Sequence, residues 1–535
     1  MKEGFRQTMA WLHTWMGLVF GWLLFAIFLT GTLSYFKTEI TRWTQPEIPL
    51  RAPNTQASAE LAQAYLQQNS AGASRWFINL PDERDPKLGV MWQAPSQPGQ
   101  RGTFVQKNLD AQTGAEVQAR DSRGGEFFYR FHFQLQMPNP WGRWLATAAA
   151  MVMFITLISG IITHKKIFKE FFTFRPRKGQ RSWLDGHNAI GVLALPFHLM
   201  ITYSSLVIFM SMVMPASIVA SYGKDTQAFF ADLFPANASV KPAGTPAPLA
   251  SLPDMLKLAD QQAPGGHLGR LTVNNPGDAN ATVVLFPSGV DSIVHDPGAG
   301  LTFNGVTGAL QSTAVERTAP LLIFGGFYGL HMGHFAGPLL RWLYFIFGIA
   351  STAMIGTGLV MWLKKRRVKH EKTGVLPFEL RLVEVLNIAG MGGLMIAVAS
   401  FFWANRLLPV GFPGRGGWEI NMFFIAWGLT LLHAALRSGR NAWREQLALG
   451  ALLYAGLPLL DIVTSGRYLL DSLAHGDWVL LGVDLTALAT GLFLAWAARK
   501  FRPARPLLAA DEAAQPLKRR ERHSVDVTPL EGETR

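Results

Sequence analysis

Long apolar runs alternate with polar stretches and mark eight candidate membrane spans, at roughly residues 9–33, 141–163, 184–214, 338–363, 382–407, 419–436, 447–464 and 478–498. About 20 apolar residues cross a hydrocarbon core, so the sixth and seventh runs are short for the task. Two polar stretches, 37–140 and 215–337, are long enough to fold outside the bilayer. Each reads as one helix (ASAELAQAYLQQ; LPDMLKLADQQ) followed by alternating strands that end in a Thr–Gly turn. The fold class expected is an all-α polytopic membrane protein, with a four-helix core and about four extra C-terminal helices, carrying two extramembrane α+β domains. The segments are 1–36 (first span), 37–140 (first domain), 141–214 (second and third spans with their loop), 215–337 (second domain), 338–363 (fourth span), 364–381 (basic linker), 382–500 (spans five to eight) and 501–535 (tail).

The pattern is written twice. His13 and Gly17 recur 174 residues later as His187 and Gly191, while Arg143, Trp144 and Gly160 recur 198 residues later as Arg341, Trp342 and Gly358. His132 falls within one residue of alignment with His331. In the polar stretches Arg75 to Pro81 maps onto Arg270 to Pro276 at 195, and Thr113–Gly114 onto Thr307–Gly308 at 194. Each half is therefore helix, outer domain, helix. Spans five to eight lack the pattern and read as an appended bundle. Membrane proteins built from repeats often place their functional site between the repeats, although gene doubling alone leaves no site there.

Charge orients the chain. Lys165, Lys166, Lys169, Arg175, Arg177, Lys178 and Arg181 follow the second run, KKRRVKHEK the fourth, RSGRNAWR the sixth and RKFRPAR the eighth. By the positive-inside rule these segments and both termini are cytoplasmic, and the two domains lie outside. The net charge of +13 then reads as anchoring to a lipid bilayer and calls for no nucleic acid. The balance of 49% hydrophobic to 16% charged residues agrees. The absence of cysteine excludes disulfides and thiolate-held iron–sulfur, zinc or haem sites, so a metal centre must use His, Met, Tyr or carboxylates.

Histidine is the ionisable residue that returns in the apolar runs, where it is expensive and marks function by default. Counting along the helices puts His13, His164 and His187 near the inner face, His132, His331 and His334 near the outer face, and His198 deeper. His187 and His198 are eleven residues apart, about 16 Å along the third span and only about 20° around its axis, so one face presents imidazoles at two levels. That arrangement suits two b-type haems stacked across the membrane, with His13 and His187 holding the inner iron, His132 and His331 the outer, and His198 adjacent. Gly17 and Gly191, one turn after their histidines, would leave room for the flat face of a porphyrin, and close helix packing explains any single glycine as well. His164 beside Lys165 and Lys166 reads equally as an interfacial cation. His334 reads as a second ligand, a hydrogen-bond partner or a substrate contact, and His433 as a buried, satisfied histidine. Zinc is the rival for such a set, but a catalytic site wants about three converging ligands and no His-Glu-x-x-His occurs.

The stretches LHTWMGLVFGWLLFAIFLTG, DGHNAIGVLALPF and LHMGHFAGPLLRWLYFIFGIASTAMIGTGLVMWLKKR, with outer domains ending NLDAQTGAEV and FNGVTGAL, resemble the PepSY-associated transmembrane proteins over about residues 1–370. That group includes iron-regulated inner-membrane proteins and the FoxB-type ferrisiderophore reductases. The resemblance implies a bacterial inner-membrane protein with periplasmic PepSY-like domains and haem b in the helical core. It also implies electron transfer to a ferric siderophore or other ferric chelate, with release of ferrous iron. Spans five to eight and the extra histidines depart from the pattern. No Gly-x-Gly-x-x-Gly opens a βαβ unit, so the electron donor is expected to be external, a quinol or a soluble reductase. A haem-free permease for siderophore or metal is the alternative, and a third reading makes the outer domains protein-binding modules with merely structural histidines.

Overall fold

Each half of the repeat begins with a bent span. Helices α1 (Glu3–Val19) and α2 (Gly21–Ser34) meet at 65° around Phe20 in the computed structural model, which describes residues 3–501 apart from 96–101, 165–174, 176–177, 234–239, 263–266, 289, 291, 295–299, 313–317, 371–375, 438 and 467–468. The expected tail, and Lys165, Lys166, Lys169 and Arg177 of the first basic loop, lie outside the described residues. A short α3 (Lys37–Thr44) leads into α4 (Thr55–Asn69) and strands β1 (Arg75–Asn79), β2 (Leu88–Gln93) and β3 (Phe104–Leu109). The chain returns through α5 (Gly124–Gln134) and the straight span α6 (Trp141–Thr163).

The second half follows the same plan. Helices α7 (Gln180–Leu193) and α8 (Leu195–Ile208) meet at 67° around Ala194, 174 residues after Phe20. Pro196 in the first turn of α8 cannot donate back to α7, and Gly21 lets α2 close on Leu359, so both bends have local causes. Three short helices, α9 (Met210–Val213), α10 (Ala216–Tyr222) and α11 (Thr226–Leu233), precede α12 (Leu252–Gln262) and strands β4 (Leu268–Asn274), β5 (Thr282–Pro287), β6 (Leu301–Asn304) and β7 (Leu310–Ser312). Helix α13 (Ala319–Met332) and the span α14 (Pro338–Arg367) complete it, so the helix runs on into the expected linker.

The appended bundle is α15 (Phe378–Asn387), a π-helical turn at Ile388–Gly393, α16 (Leu394–Leu407), α17 (Arg415–Arg437), α18 (Arg440–Ser465), α19 (Leu469–Ala474) and α20 (Trp478–Lys500). Among the described residues six helices and two bent pairs are long and apolar enough to cross a bilayer, as the eight apolar runs predict, and the chain is a multi-pass membrane protein. The two runs expected to be short become helices of 23 and 26 residues, because charged residues at their ends join the helix.

The two outer domains are not separate. Their strands form one antiparallel sheet in the order β3-β2-β1-β4-β5-β6-β7, joined at its centre by β1 and β4, with Trp76 opposite Val273 and Ile78 opposite Leu271. Each three- or four-stranded piece alone would leave β1 or β4 as an open edge with unpaired backbone groups, and joining satisfies both. Leu66 of α4 and Leu252 of α12 are buried with Ile78, Leu88, Leu271 and Val283 in one shared core. Arg84, from the β1–β2 connection, grips Glu39 of α3 (2.8 and 3.0 Å), and Arg341 of α14 shares the same carboxylate (3.1 Å), so the sheet and both halves of the core meet at one acid.

The repeated Thr–Gly turns share one device. Asp110 Oδ1 accepts from the N–H groups of Gln112 (2.8 Å) and Thr113 (3.1 Å), and Asn304 Oδ1, 194 residues on, accepts from Val306 and Thr307 (2.9 Å each). Burial alone pushes the Asp110 carboxyl up, but hydrogen bonds from Gln112, Arg51 and Thr113 outweigh it and hold the group below its ordinary value. A depressed carboxyl contributes stability that is complete above the unfolded value of about 3.9 and is lost as pH falls through the folded one. The first turn should therefore open in acid below about pH 4, while Asp110→Asn, which copies the second turn, moves that transition to lower pH. Hydrogen exchange over residues 108–117 reads the difference.

Candidate functional site

The histidines meet in two pairs, one toward the sheet and one away from it. On the side away from the sheet, His13 of α1 and His187 of α7 have ring centroids 6.3 Å apart at 80°. On the sheet side, His132 of α5 and His331 of α13 stand 6.0 Å apart at 34°. Both pairings are those the sequence repeat predicts.

Every one of these four rings is tied by Nδ1. His13 donates to the carbonyl of Thr156 (2.8 Å) in α6, and His187 to the carbonyl of Met354 (3.0 Å) and Thr357 Oγ1 (3.1 Å) in α14. Thr156 and Met354 are 198 residues apart, the repeat spacing of those helices. His132 donates to the carbonyl of Ile27 (2.8 Å), and His331 to Ser204 Oγ (2.9 Å) and the carbonyl of Ile201, which is 174 residues beyond Ile27. The hydroxyls of Thr357 and Ser204 spend their own protons on carbonyls one turn back, so they receive the imidazole proton. With Nδ1–H fixed on all four rings, each Nε2 carries the lone pair, as in a metal-ligating histidine oriented by an outer-shell acceptor.

Glycines make room for these contacts. A Cβ on Gly160 would stand 3.1 Å from His13 Cε1, and one on its repeat partner Gly358 3.5 Å from His187 Cε1. A Cβ on Gly31 would come within 2.5 Å of His132 Nδ1. Gly17 and Gly191 line the same cavity as Gly160 and Gly358 but touch no histidine: a Cβ at Gly17 meets nothing within 4 Å, and one at Gly191 only the Met354 sulfur at 3.5 Å. Sequence reasoning missed Gly31, Ser204 and Thr357. Gly31 lies one residue out of register with Ser204, a small-residue signal that the repeat offered.

A cavity of about 710 Å³ is lined by His13 and His187, and also by His164, Lys365, Arg366 and Lys369. A second, of about 360 Å³, is lined by His132 and His331, by His334, Tyr129 and Tyr328, and by Lys37, Arg84 and Arg143. Leu24 and Met153 line both, so one apolar wall separates them. Both volumes fall in the ~300–1,000 Å³ range of small-molecule sites.

His198 does not join either pair. The bend at Ala194 cancels the two-level helix face expected of an unbroken span. The ring is fully buried, its two nitrogens and the hydroxyl of Thr202 lack hydrogen-bond partners, and it lines neither cavity. It occupies the repeat position of Leu24, in the wall between the two sites. His433 is half-buried rather than enclosed, and is satisfied by Glu445 of α18 (2.9 Å).

Two imidazoles cannot complete a metal shell by themselves. Among the described residues no three His, Cys, Asp or Glu side chains converge as metal ligands, which leaves zinc without a site there. A metal held by either pair must draw its other ligands from elsewhere, and the four ring nitrogens of a porphyrin supply that number. Metal–nitrogen bonds of about 2.0–2.1 Å, plus ~1.2 Å from nitrogen to ring centre, would allow two imidazoles on one ion centroid separations up to about 6.5 Å, and the observed 6.3 and 6.0 Å lie within that reach.

The chain is 25% identical over 397 residues to the uncharacterized protein PA4219 of Pseudomonas aeruginosa, an alignment covering 70% of this chain and 95% of that one. Shorter likenesses, 27% identical over 161 residues, connect it to the cytochrome c biogenesis protein CcsA of Synechococcus sp. strains JA-3-3Ab and JA-2-3B'a(2-13). These cover 29% and 27% of this chain and less than half of each relative, 43% and 45%. The model of the PepSY-associated TM region matches residues 10–365, which include both halves of the repeat and all four paired histidines, and the chain belongs to that family.

Proposed function

We propose that the protein is a transmembrane electron conduit of the bacterial inner membrane, with two b-type haems, that reduces a ferric siderophore or another ferric chelate in the periplasm. The electrons come from a quinol or a soluble reductase. The observation that carries this reading is the set of four histidines, paired at 6.0 and 6.3 Å and all tied by Nδ1. When bound, each haem would supply a one-electron relay and the further metal ligands that no third side chain among the described residues provides.

The chain's own residues do the rest. The carbonyls of Thr156, Met354, Ile27 and Ile201 accept the Nδ1 protons and so make each Nε2 a better donor to iron. Leu24 and Met153 keep water out of the wall between the cavities. The basic last turn of α14 supports a cytoplasmic His13–His187 side by the positive-inside rule, with the sheet then facing the periplasm. On that side Lys37, Arg84 and Arg143 line the smaller cavity; Lys37 and Arg84 are paired with Glu126 and Glu39, and Arg143 favours an anionic chelate. Adding one electron to ferric iron lowers the charge that hard oxygen ligands hold, so the ferrous ion is released. Likeness to a cytochrome c biogenesis protein is in keeping with a haem-handling membrane core.

The deciding measurement is an optical spectrum of the detergent-purified protein, air-oxidised and then dithionite-reduced, with a pyridine haemochrome count. Sharp α and Soret bands on reduction and about two haems per chain are the expected result. A colourless protein from cells supplied with haem removes the conduit and leaves the permease.

A further inference from the structure

The appended bundle grips the helix of one ligand histidine. Helix α5 turns His132 toward Ile27 and His331, and its other face sends Phe127, Phe128 and Phe131 into α16 and α17. Phe127 stacks on Phe401 (5.1 Å, 15°) and meets Phe423 edge-on (5.0 Å), while Phe128 meets Phe401 and Phe402.

The start of α5 is held from the same direction. Glu419 of α17, fully buried, accepts from the Arg123 N–H (3.0 Å) and from Ser122 Oγ (2.9 Å), and that hydroxyl accepts from the N–H of Gly124, the first residue of α5 (3.0 Å). A carboxylate there satisfies amides that have no partner within the helix and meets its positive end. Arg415 balances the charge at 2.7 Å, with both side chains at 0% exposure, and Asn405 adds a hydrogen bond at 2.7 Å. Gly124, at φ +48, and Gly125 seat α5 against Thr41 and Lys37 of α3, where a Cβ would overlap. Helix α3 is itself joined to the bundle by Arg42–Asp477 (2.5 Å) and by Trp43 Nε1 donating to Asp484 (2.9 Å). The other half differs: α13, which carries His331, leaves Leu322 and Ile323 38% and 61% exposed.

We propose that the C-terminal bundle is the positioning module of the sheet-side site, and that Glu419, acting through Ser122 and the start of α5, is the positioning residue for His132. The assignment rests on the reading of His132 as an iron ligand. It gives the four extra spans a direct hold on the helix that carries His132, whereas toward the other centre they hold α14, through Asn387 donating to the Leu359 carbonyl (3.4 Å) and Arg367–Glu384 (2.7 Å).

The test uses the full chain in its haem-loaded form. Ser122→Ala removes the hydroxyl bridge and leaves the buried Arg415–Glu419 pair intact; Glu419→Gln removes the carboxylate; Ser122→Thr restores a hydroxyl. A two-component redox titration followed in the α-band reads each centre separately, with the components assigned by His187→Ala and His331→Ala. The expected result is a shifted midpoint and band for the sheet-side component in Ser122→Ala, an unchanged far-side component, and a return to the parent values in Ser122→Thr. Equal shifts in both components, or none, overturn the assignment. A parent protein without haem rejects the functional reading instead. Should Glu419→Gln fail to fold, Ser122→Ala decides by itself.

Discussion

His331→Ala is expected to leave the protein with about one haem in place of two, and to remove nearly all ferric-chelate reduction, while the absorption of the far-side centre stays as it was. The argument is one of supply. Each pair offers two imidazole nitrogens and, among the described residues, no third donor converges with them, so loss of one ring halves the protein ligands of that iron. Removing only an outer-shell partner of a metal-bound histidine costs roughly 10–100-fold in affinity, and losing the ligand costs more. His187→Ala should remove the other haem by the same reasoning. The two variants differ in what survives: with His331 gone, the far-side centre is still reduced by the donor but nothing passes to the chelate, whereas with His187 gone, dithionite still reduces the sheet-side centre. Haem counts, difference spectra and single-turnover mixing with a ferric chelate separate the cases. Loss of both haems from either substitution, or of neither, would show that the pairs are not independent sites.

The pairing of these histidines was legible because it rests on arithmetic. Equal spacings of 174 and 198 survive folding, since both halves fold alike, and the structure repeats them in acceptors that no pattern singles out, Ile27 with Ile201 and Thr156 with Met354. His198 was misplaced for a physical reason. Extrapolating along a helix assumes an unbroken axis, and Pro196 breaks it. The union of the two outer domains was hidden as well, because β1 and β4 look like ordinary edge strands in sequence, and only their proximity across the repeat pairs them. The link from Glu419 to the start of α5 spans nearly three hundred residues between segments of unrelated pattern, and no local signal announces it.

Gly31→Ala should damage the sheet-side site although it touches no ligand by name. In a helix interior such a change ordinarily stabilises by about 0.5–1 kcal/mol, since alanine has the better propensity. Here the new methyl would lie 2.5 Å from His132 Nδ1 and 2.6 Å from Cε1, well inside contact distance, while the ring is held in place by its bond to Ile27. The imidazole must move off that carbonyl, which releases the tautomer as well as the position of Nε2. The expected outcome is a sheet-side haem bound some 10–100-fold more weakly, with the far-side centre intact. Gly17→Ala isolates the complementary effect. Its methyl meets no protein atom within 4 Å and projects into the larger cavity, so the empty protein should gain the propensity term and melt slightly higher. Any loss of far-side haem in that variant must then come from what fills the cavity, a flat ring pressed against α1. If Gly17→Ala binds two haems as tightly as the parent, the porphyrin does not lie on that face, and Gly17 has no part in the far-side site.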